Sequence, residues 1–182
     1  MTPDWQEAFR VLTAGGVAVL PTDTIYGLHG LATAKSALDR IYALKGRHLA
    51  KPCIVLLPTK TALNLFGVSV DNNLTNMLAQ YWPGPTSIIL PVPDDRFAYL
   101  HRGTYCLAFR VPKYAPLLQL LNQTGPLVST SANTSGAHPA TDIPSAKNYF
   151  DTLVDYYLDT GPLTNPPSRV FNYVHGKMVQ LR

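Results

Sequence analysis

Apolar residues along this chain fall into short blocks punctuated by glycine and proline, with no long periodic run. Trp5, Ala8, Phe9 and Leu12 recur at helical spacing behind Thr2-Pro3-Asp4, a capping signal, and Gly15-Gly16 ends the pattern. Val17-Ala18-Val19-Leu20 reads as a short buried strand closed by Pro21. The stretch 22–30, with two glycines and several hydroxyl residues, reads as a loop leaving that strand. Thr33 is placed to cap a second helix with Ala34, Leu38 and Ile41 on one face, running to Lys45 and stopping near Gly46. Further strands are predicted at 53–57, 86–92, 105–111, 127–130, 153–158, 169–174 and 178–181, with a tight turn at His175-Gly176. Helical patterns cover 59–66, 70–82 and 114–123. Helices and strands interleave irregularly, which predicts an α/β fold: a twisted, mostly mixed β-sheet with flanking helices, in one domain over residues 1–182.

Composition narrows the class. Apolar residues make up 46% of the 182 and charged residues 14%, which excludes a disordered chain. No apolar run reaches the roughly eighteen residues a membrane span needs, and MTPDWQEAFR lacks a secretory pattern, so a cytoplasmic protein is expected. Cys53 and Cys106 each sit in an apolar run, as buried reduced thiols do, without the spacing of a zinc site. The net charge is +4, and its distribution is uneven: six basic residues and one acid, Asp39, lie between Lys35 and Lys60. Such a surplus suits an anionic ligand (a phosphate ester, a nucleotide or RNA), although a solvated helix face has the same composition.

Four polar clusters stand at the ends of apolar elements, where sheets present functional loops. Pro21-Thr22-Asp23-Thr24-Ile25-Tyr26-Gly27-Leu28 offers hydroxyls and a glycine for close approach, or a self-satisfied turn. Lys45-Gly46-Arg47-His48-Leu49-Ala50-Lys51-Pro52 places three cations within seven residues; arginine can grip two phosphate oxygens, and lysine supplies a compact charge. Cations also favour a helix C-terminus for its own sake, and His48 reads as a surface residue. Trp82-Pro83-Gly84-Pro85-Thr86-Ser87 is a rigid turn before a strand. Ser129-Thr130-Ser131-Ala132-Asn133-Thr134-Ser135-Gly136 is a hydroxyl-rich loop after one, suited to phosphate oxygens. Gly-x-Ser-x-Gly is missing and no His/Asp partner is evident, so these serines read as ligands rather than nucleophiles. The usual dinucleotide and P-loop glycine fingerprints are absent, so a bound nucleotide must use another cradle.

Taken in order, PTDTIYGL, LKGRHLAKP, WPGPTSIIL, LAFRVP, STSANTSG and PSRVFNYVHGKMVQLR resemble the YrdC/Sua/TsaC family of threonylcarbamoyl-AMP synthases, in its short single-domain form. The resemblance implies a concave basic groove and a nucleotidyltransferase. It would make L-threonylcarbamoyladenylate and pyrophosphate from L-threonine, bicarbonate or CO2, and ATP. A partner transferase complex would then modify tRNA. By resemblance the catalytic residues are Lys45, Arg47, Ser131 and Asn133. Threonine would be bound by Thr22, Thr24, Tyr26, Lys51 and Arg110. The nucleotide would be bound by Lys45, Arg47, Thr86, Ser129, Ser131, Asn133, Ser168 and Arg182. No protein metal site is implied; Mg²⁺ would be carried by ATP, since the chain has one glutamate, Glu7, and no carboxylate cage. Two departures stand out: Lys-Pro-Cys replaces Lys-Pro-Leu at Cys53, and Pro167-Ser168-Arg169 with Asn172 replaces a Pro-Ser-Thr-like segment with an aspartate.

Other readings share the same residues. An RNA-binding module would use the basic groove without catalysis and bind in a salt-sensitive way. A carbamoyl-adenylate former using carbamoyl phosphate would carry zinc-finger and acylphosphatase-like regions as well. A purely structural subunit fits poorly with four ligand-type loops.

Overall fold

The computed structural model describes residues 1–174 and 177–181; the His175-Gly176 turn and Arg182 lie outside them. In chain order the strands are β1 (Ala18–Leu20), β2 (Gly27–Leu31), β3 (Ile54–Leu56), β4 (Thr86–Pro91), β5 (Cys106–Arg110), β6 (Leu127–Ser131), β7 (Tyr156–Tyr157), β8 (Arg169–Val174) and β9 (Lys177–Gln180). They form one sheet in the order β7-β1-β2-β6-β3-β5-β4-β8-β9. Pairing is parallel for β1/β7, β3/β5 and β4/β8 and antiparallel elsewhere, so the sheet is mixed, as the irregular alternation predicts. The helices are α1 (Pro3–Thr13), α2 (Lys35–Lys45), α3 (Asn72–Ala79), α4 (Ala98–His101), α5 (Ala115–Thr124) and α6 (Ile143–Phe150), with a 3₁₀ turn at Lys60–Phe66.

Several segments differ from the sequence expectation. Helix α6 is not among the predicted helices, Lys60–Phe66 is a 3₁₀ turn, and of the strand expected at 153–158 only Tyr156–Tyr157 forms, after a 3₁₀ turn at Asp151–Leu153. The stretch predicted as a loop from 22 to 30 contains β2, because Gly27–Leu31 is paired along its length between β1 and β6 and tertiary pairing overrides its glycines. Helix α2 begins one residue later than a Thr33 cap would place it: Ala34 is the N-cap and makes no side-chain cap. Its end is as expected. Gly46 adopts φ 57°, a left-handed conformation that glycine takes at little cost, and the Arg47 amide bonds back to the Tyr42 carbonyl.

Helices cover both faces of the sheet. On one face α2 packs over Val17, Val19, Leu28, Val55 and Val128 through Ala37, Leu38 and Ile41. Gly30 permits this, since a Cβ there would come within 2.9 Å of the Ala37 Cβ. On the other face α1 and α5 bury Trp5, Leu12, Leu117 and Leu121 against Ala18, Leu20, Leu56 and Leu127. Alternation along β6 is what positions the site. Leu127 faces the α1/α5 core, and Ser129 and Ser131, two and four residues on, point to the same side of the strand. The face thus changes from apolar to hydroxyl-bearing within one strand. Cys53 is buried and Cys106 partly so, both as free thiols; burial pushes the Cys53 thiol up from its ordinary value.

Candidate active site

Two cavities meet on the hydroxyl-bearing end of that face. The first, about 160 Å³, is lined among others by Thr22, Thr24, Gly27, Arg110, Ser129, Ser131, Pro167 and Ser168. The second, about 270 Å³, is lined by the Lys45–Lys51 loop (Lys45, Gly46, Arg47, His48, Lys51) and by Ser131, Asn133, Ser135 and Gly136. Arg47 and Ser131 line both.

The first cavity is held rigid by hydroxyls and one ion pair. Thr22 Oγ1 donates to the Ile25 carbonyl at 2.7 Å and accepts from the Thr24 amide at 3.1 Å, closing the turn after β1. The Thr22 and Thr24 hydroxyls lie 2.9 Å apart. Arg110, almost wholly buried, donates to Thr24 Oγ1 at 3.3 Å and to Asp23 Oδ1 at 3.1 Å. Asp23 also accepts from the Lys113 amide at 2.9 Å, so this carboxylate ties the β1 turn to the end of β5. Asp23 lies 87 residues from Arg110, and no local sequence signal marks the pair.

In the second cavity the Lys45 ammonium is buried and spends its three protons on the β6 loop. It donates to the Ser131 carbonyl at 2.7 Å, the Asn133 carbonyl at 2.6 Å and Asn133 Oδ1 at 3.0 Å. Ser131 Oγ donates to the same Oδ1 at 2.6 Å, and Asn133 Nδ2 donates to the Thr134 and Ala137 carbonyls. Burial first, and then the neighbouring Arg47, lower the Lys45 pKa to about 8. Arg47 is tied by Nε to the Lys51 carbonyl at 2.9 Å and by Nη2 to the Pro52 carbonyl at 3.0 Å, which fixes its plane between the two cavities.

Most of the residues singled out from sequence therefore converge: Thr22, Thr24, Arg47, Arg110, Ser129, Ser131 and Ser168 on the first cavity, and Lys45, Arg47, Lys51, Ser131 and Asn133 on the second. Two line neither. Tyr26 is fully buried, donating its hydroxyl to the Gly161 carbonyl at 2.8 Å and accepting from the Thr160 amide at 3.0 Å. Thr86 is also fully buried; its carbonyl accepts from Trp82 Nε1 at 2.7 Å and its hydroxyl from Arg169 at 3.3 Å. His48, expected as a mere surface residue, is exposed but lines the second cavity.

Comparison with known proteins supplies the class. The chain belongs to the Sua5/YciO/YrdC family, whose model, described as "Telomere recombination", matches residues 10–182. It is 34% identical over 171 residues to a threonylcarbamoyl-AMP synthase of Nitrosococcus oceani, covering 90% of this chain and 91% of that one. A threonylcarbamoyl-AMP synthase of Hahella chejuensis is 30% identical over 179 residues, 96% of each chain. Among solved structures, P. abyssi Sua5 complexed with L-threonine superposes with a TM-score of 0.88 at 26% identity. That match covers 98% of this chain and 53% of the Sua5 chain, so this chain spans about half of its length.

Proposed function

We infer that this chain is a threonylcarbamoyl-AMP synthase: a nucleotidyltransferase of the cytoplasm that serves tRNA modification. L-threonine's amine combines with CO2, drawn from bicarbonate, to give a carbamate. A carbamate oxygen then attacks the α-phosphorus of ATP; the new O–P bond yields L-threonylcarbamoyladenylate as the bond to pyrophosphate breaks. A transferase complex would then move the threonylcarbamoyl group to tRNA.

The observation that carries this reading is the sharing of Arg47 and Ser131 between the two cavities. The first cavity, with Arg110 and the threonine hydroxyls, suits a zwitterionic hydroxy amino acid and the adenylate it becomes. The second, with its cations, suits the departing pyrophosphate. A phosphoryl transfer between them places its reacting phosphorus at the junction, where a fixed guanidinium offsets the charge of two approaching anions. Arg47 would hold the phosphate oxygens there with Ser131 orienting them. Lys45 acts through the loop it binds, shaping Ser131 and Asn133 and adding positive field from below. Ser129 and Ser168 would contact the nucleotide, and Mg²⁺ would arrive on the triphosphate.

The test is incubation with ATP, bicarbonate and each amino acid in turn, followed by mass spectrometry. A threonylcarbamoyl-AMP mass that appears only with threonine and bicarbonate supports the assignment. Salt-sensitive RNA binding with no amino-acid-dependent pyrophosphate release would instead favour the RNA-binding module.

A further inference from the structure

Across the sheet, Ala18, His29, Ser129 and Ile54 stand side by side on β1, β2, β6 and β3. Ala18 belongs to the core under α1 and α5, whereas Ser129 and Ile54 line the first cavity. His29 thus sits where the covered half of this face meets the open half. Its ring runs along β2 towards Gly27, itself a lining residue. A Cβ on Gly27 would lie 2.5 Å from His29 Nε2 and 2.9 Å from Cε1, so the imidazole occupies the space a side chain at 27 would take.

The ring is fully buried, and among the described residues neither nitrogen makes a hydrogen bond of ordinary geometry. Burial, and then the charge of Arg110, lower its pKa to about 3 against a smaller opposing pull from the Leu20 backbone, so the ring is neutral near neutral pH. A buried polar ring with no well-made hydrogen bond costs stability that an apolar side chain of similar size would not. Its place beside Gly27, which lines the pocket, points to a role there.

We propose that His29 is a positioning residue for the amino-acid substrate: its imidazole fills the slot left open by Gly27 and sets the depth of the first cavity. The proposal rests on the reading that this cavity receives the amino acid. Shortening residue 29 would open space continuous with the cavity floor. The methyl and hydroxyl of threonine would lose their support, and longer side chains would gain room.

The test compares wild type, His29→Ala, His29→Val and His29→Leu for adenylate formation from threonine, serine, valine and isoleucine. His29→Ala should lower the preference for threonine over isoleucine by about tenfold or more, the scale set by one or two methylenes in a pocket. The loss should appear mainly in the KM for threonine. His29→Leu, which refills the slot, should restore the preference to within about threefold of wild type, a rescue that general loosening of the fold would not give. Unchanged selectivity in His29→Ala overturns the proposal, as does equal loss in the alanine and leucine variants. If His29→Ala does not fold, His29→Val decides, and valine behaving like leucine counts against depth control. A wild-type enzyme that uses threonine alongside an unaltered His29→Ala variant sinks only this proposal. A wild-type enzyme that adenylates no amino acid sinks the proposed function and this inference with it.

Discussion

The Lys45 ammonium donates to both oxygens of Asn133, the carbonyl at 2.6 Å and Oδ1 at 3.0 Å. A lysine at a helix C-terminus beside a cationic cavity is expected to reach for a ligand; here it reaches for the loop. Its third proton goes to the Ser131 carbonyl, and Ser131 Oγ joins it on Asn133 Oδ1, so one buried charge organises the backbone turn that faces the second cavity. Under the proposed function this divides the labour: Lys45 and Asn133 build the loop, and Arg47 and Ser131 would meet the substrate.

Lys45→Met should therefore damage stability as well as catalysis. Removing a charged donor from buried carbonyl partners costs roughly 1.5–3 kcal/mol, or roughly 3–12 °C of melting temperature for a chain of this size. Arg47→Ala, which removes a half-buried side chain held by two surface-loop carbonyls, should leave melting nearly unchanged while abolishing threonine-dependent pyrophosphate release. Calorimetric melting of both variants beside the activity assay separates the roles; equal melting with equal loss of activity would contradict the division.

The low pKa of Lys45 sets an alkaline limit. A lysine at about 8 in the folded chain against an ordinary 10.5 loses its proton first in the native state. The unfolded chain then holds more protons between those values, so this group's contribution to stability rises with pH across the window. Catalysis moves the other way, because a neutral amine keeps two donors and turns a lone pair towards oxygens that need three. With threonine and ATP saturating, kcat should fall as pH rises through about 8. A profile flat to pH 9.5 would mean the loop does not need the ammonium.

How much of this was legible in sequence depends on the range of the forces involved. The Gly46 stop of α2, the apolar blocks of β1, β3 and β6 and the clustered hydroxyls after β6 are local signals, and all stand where the pattern places them. β2 is hidden because Gly27 and Gly30 are poor strand residues; they are there for the His29 ring and for α2, neighbours that only the fold supplies. α6 carries an Asp142 cap and buries Ile143, Ala146 and Phe150, a helical spacing short enough to be lost beside the turn residues before it. The Asp23–Arg110 pair and the inward turn of Tyr26 are tertiary facts with no local counterpart.

Tyr26 gives a prediction of its own. The segment 159–168, which has no helix or strand, crosses from β7 to β8 and brings Pro167 and Ser168 to the first cavity. The Tyr26 hydroxyl fastens it through Gly161 and Thr160. Tyr26→Phe keeps the ring in the core and removes the latch, for a loss of roughly 0.5–1.5 kcal/mol. The expected result is a KM for ATP raised roughly two- to tenfold, the same energy expressed as order in that segment, with kcat little changed. A drop in kcat at constant KM would instead make Tyr26 part of the reacting site.

His29 predicts acid sensitivity well above the range where carboxylates titrate. Its folded pKa of about 3 lies below the ordinary 6.5, so between these values the unfolded chain binds a proton that the native chain refuses. Stability must therefore fall as pH falls from 6.5, by about 1.4 kcal/mol per pH unit where the window is fully open. Between pH 7 and pH 5 this amounts to roughly 2 kcal/mol. Urea unfolding at the two pH values should show that loss in the wild type and lose most of it in His29→Leu, which has no proton to accept. The leucine variant should also be the more stable of the two at pH 7, because it buries no unpaired nitrogen. A wild type equally stable at both pH values would mean that the ring takes up its proton in the folded chain, and that its surroundings are more polar than the packing indicates.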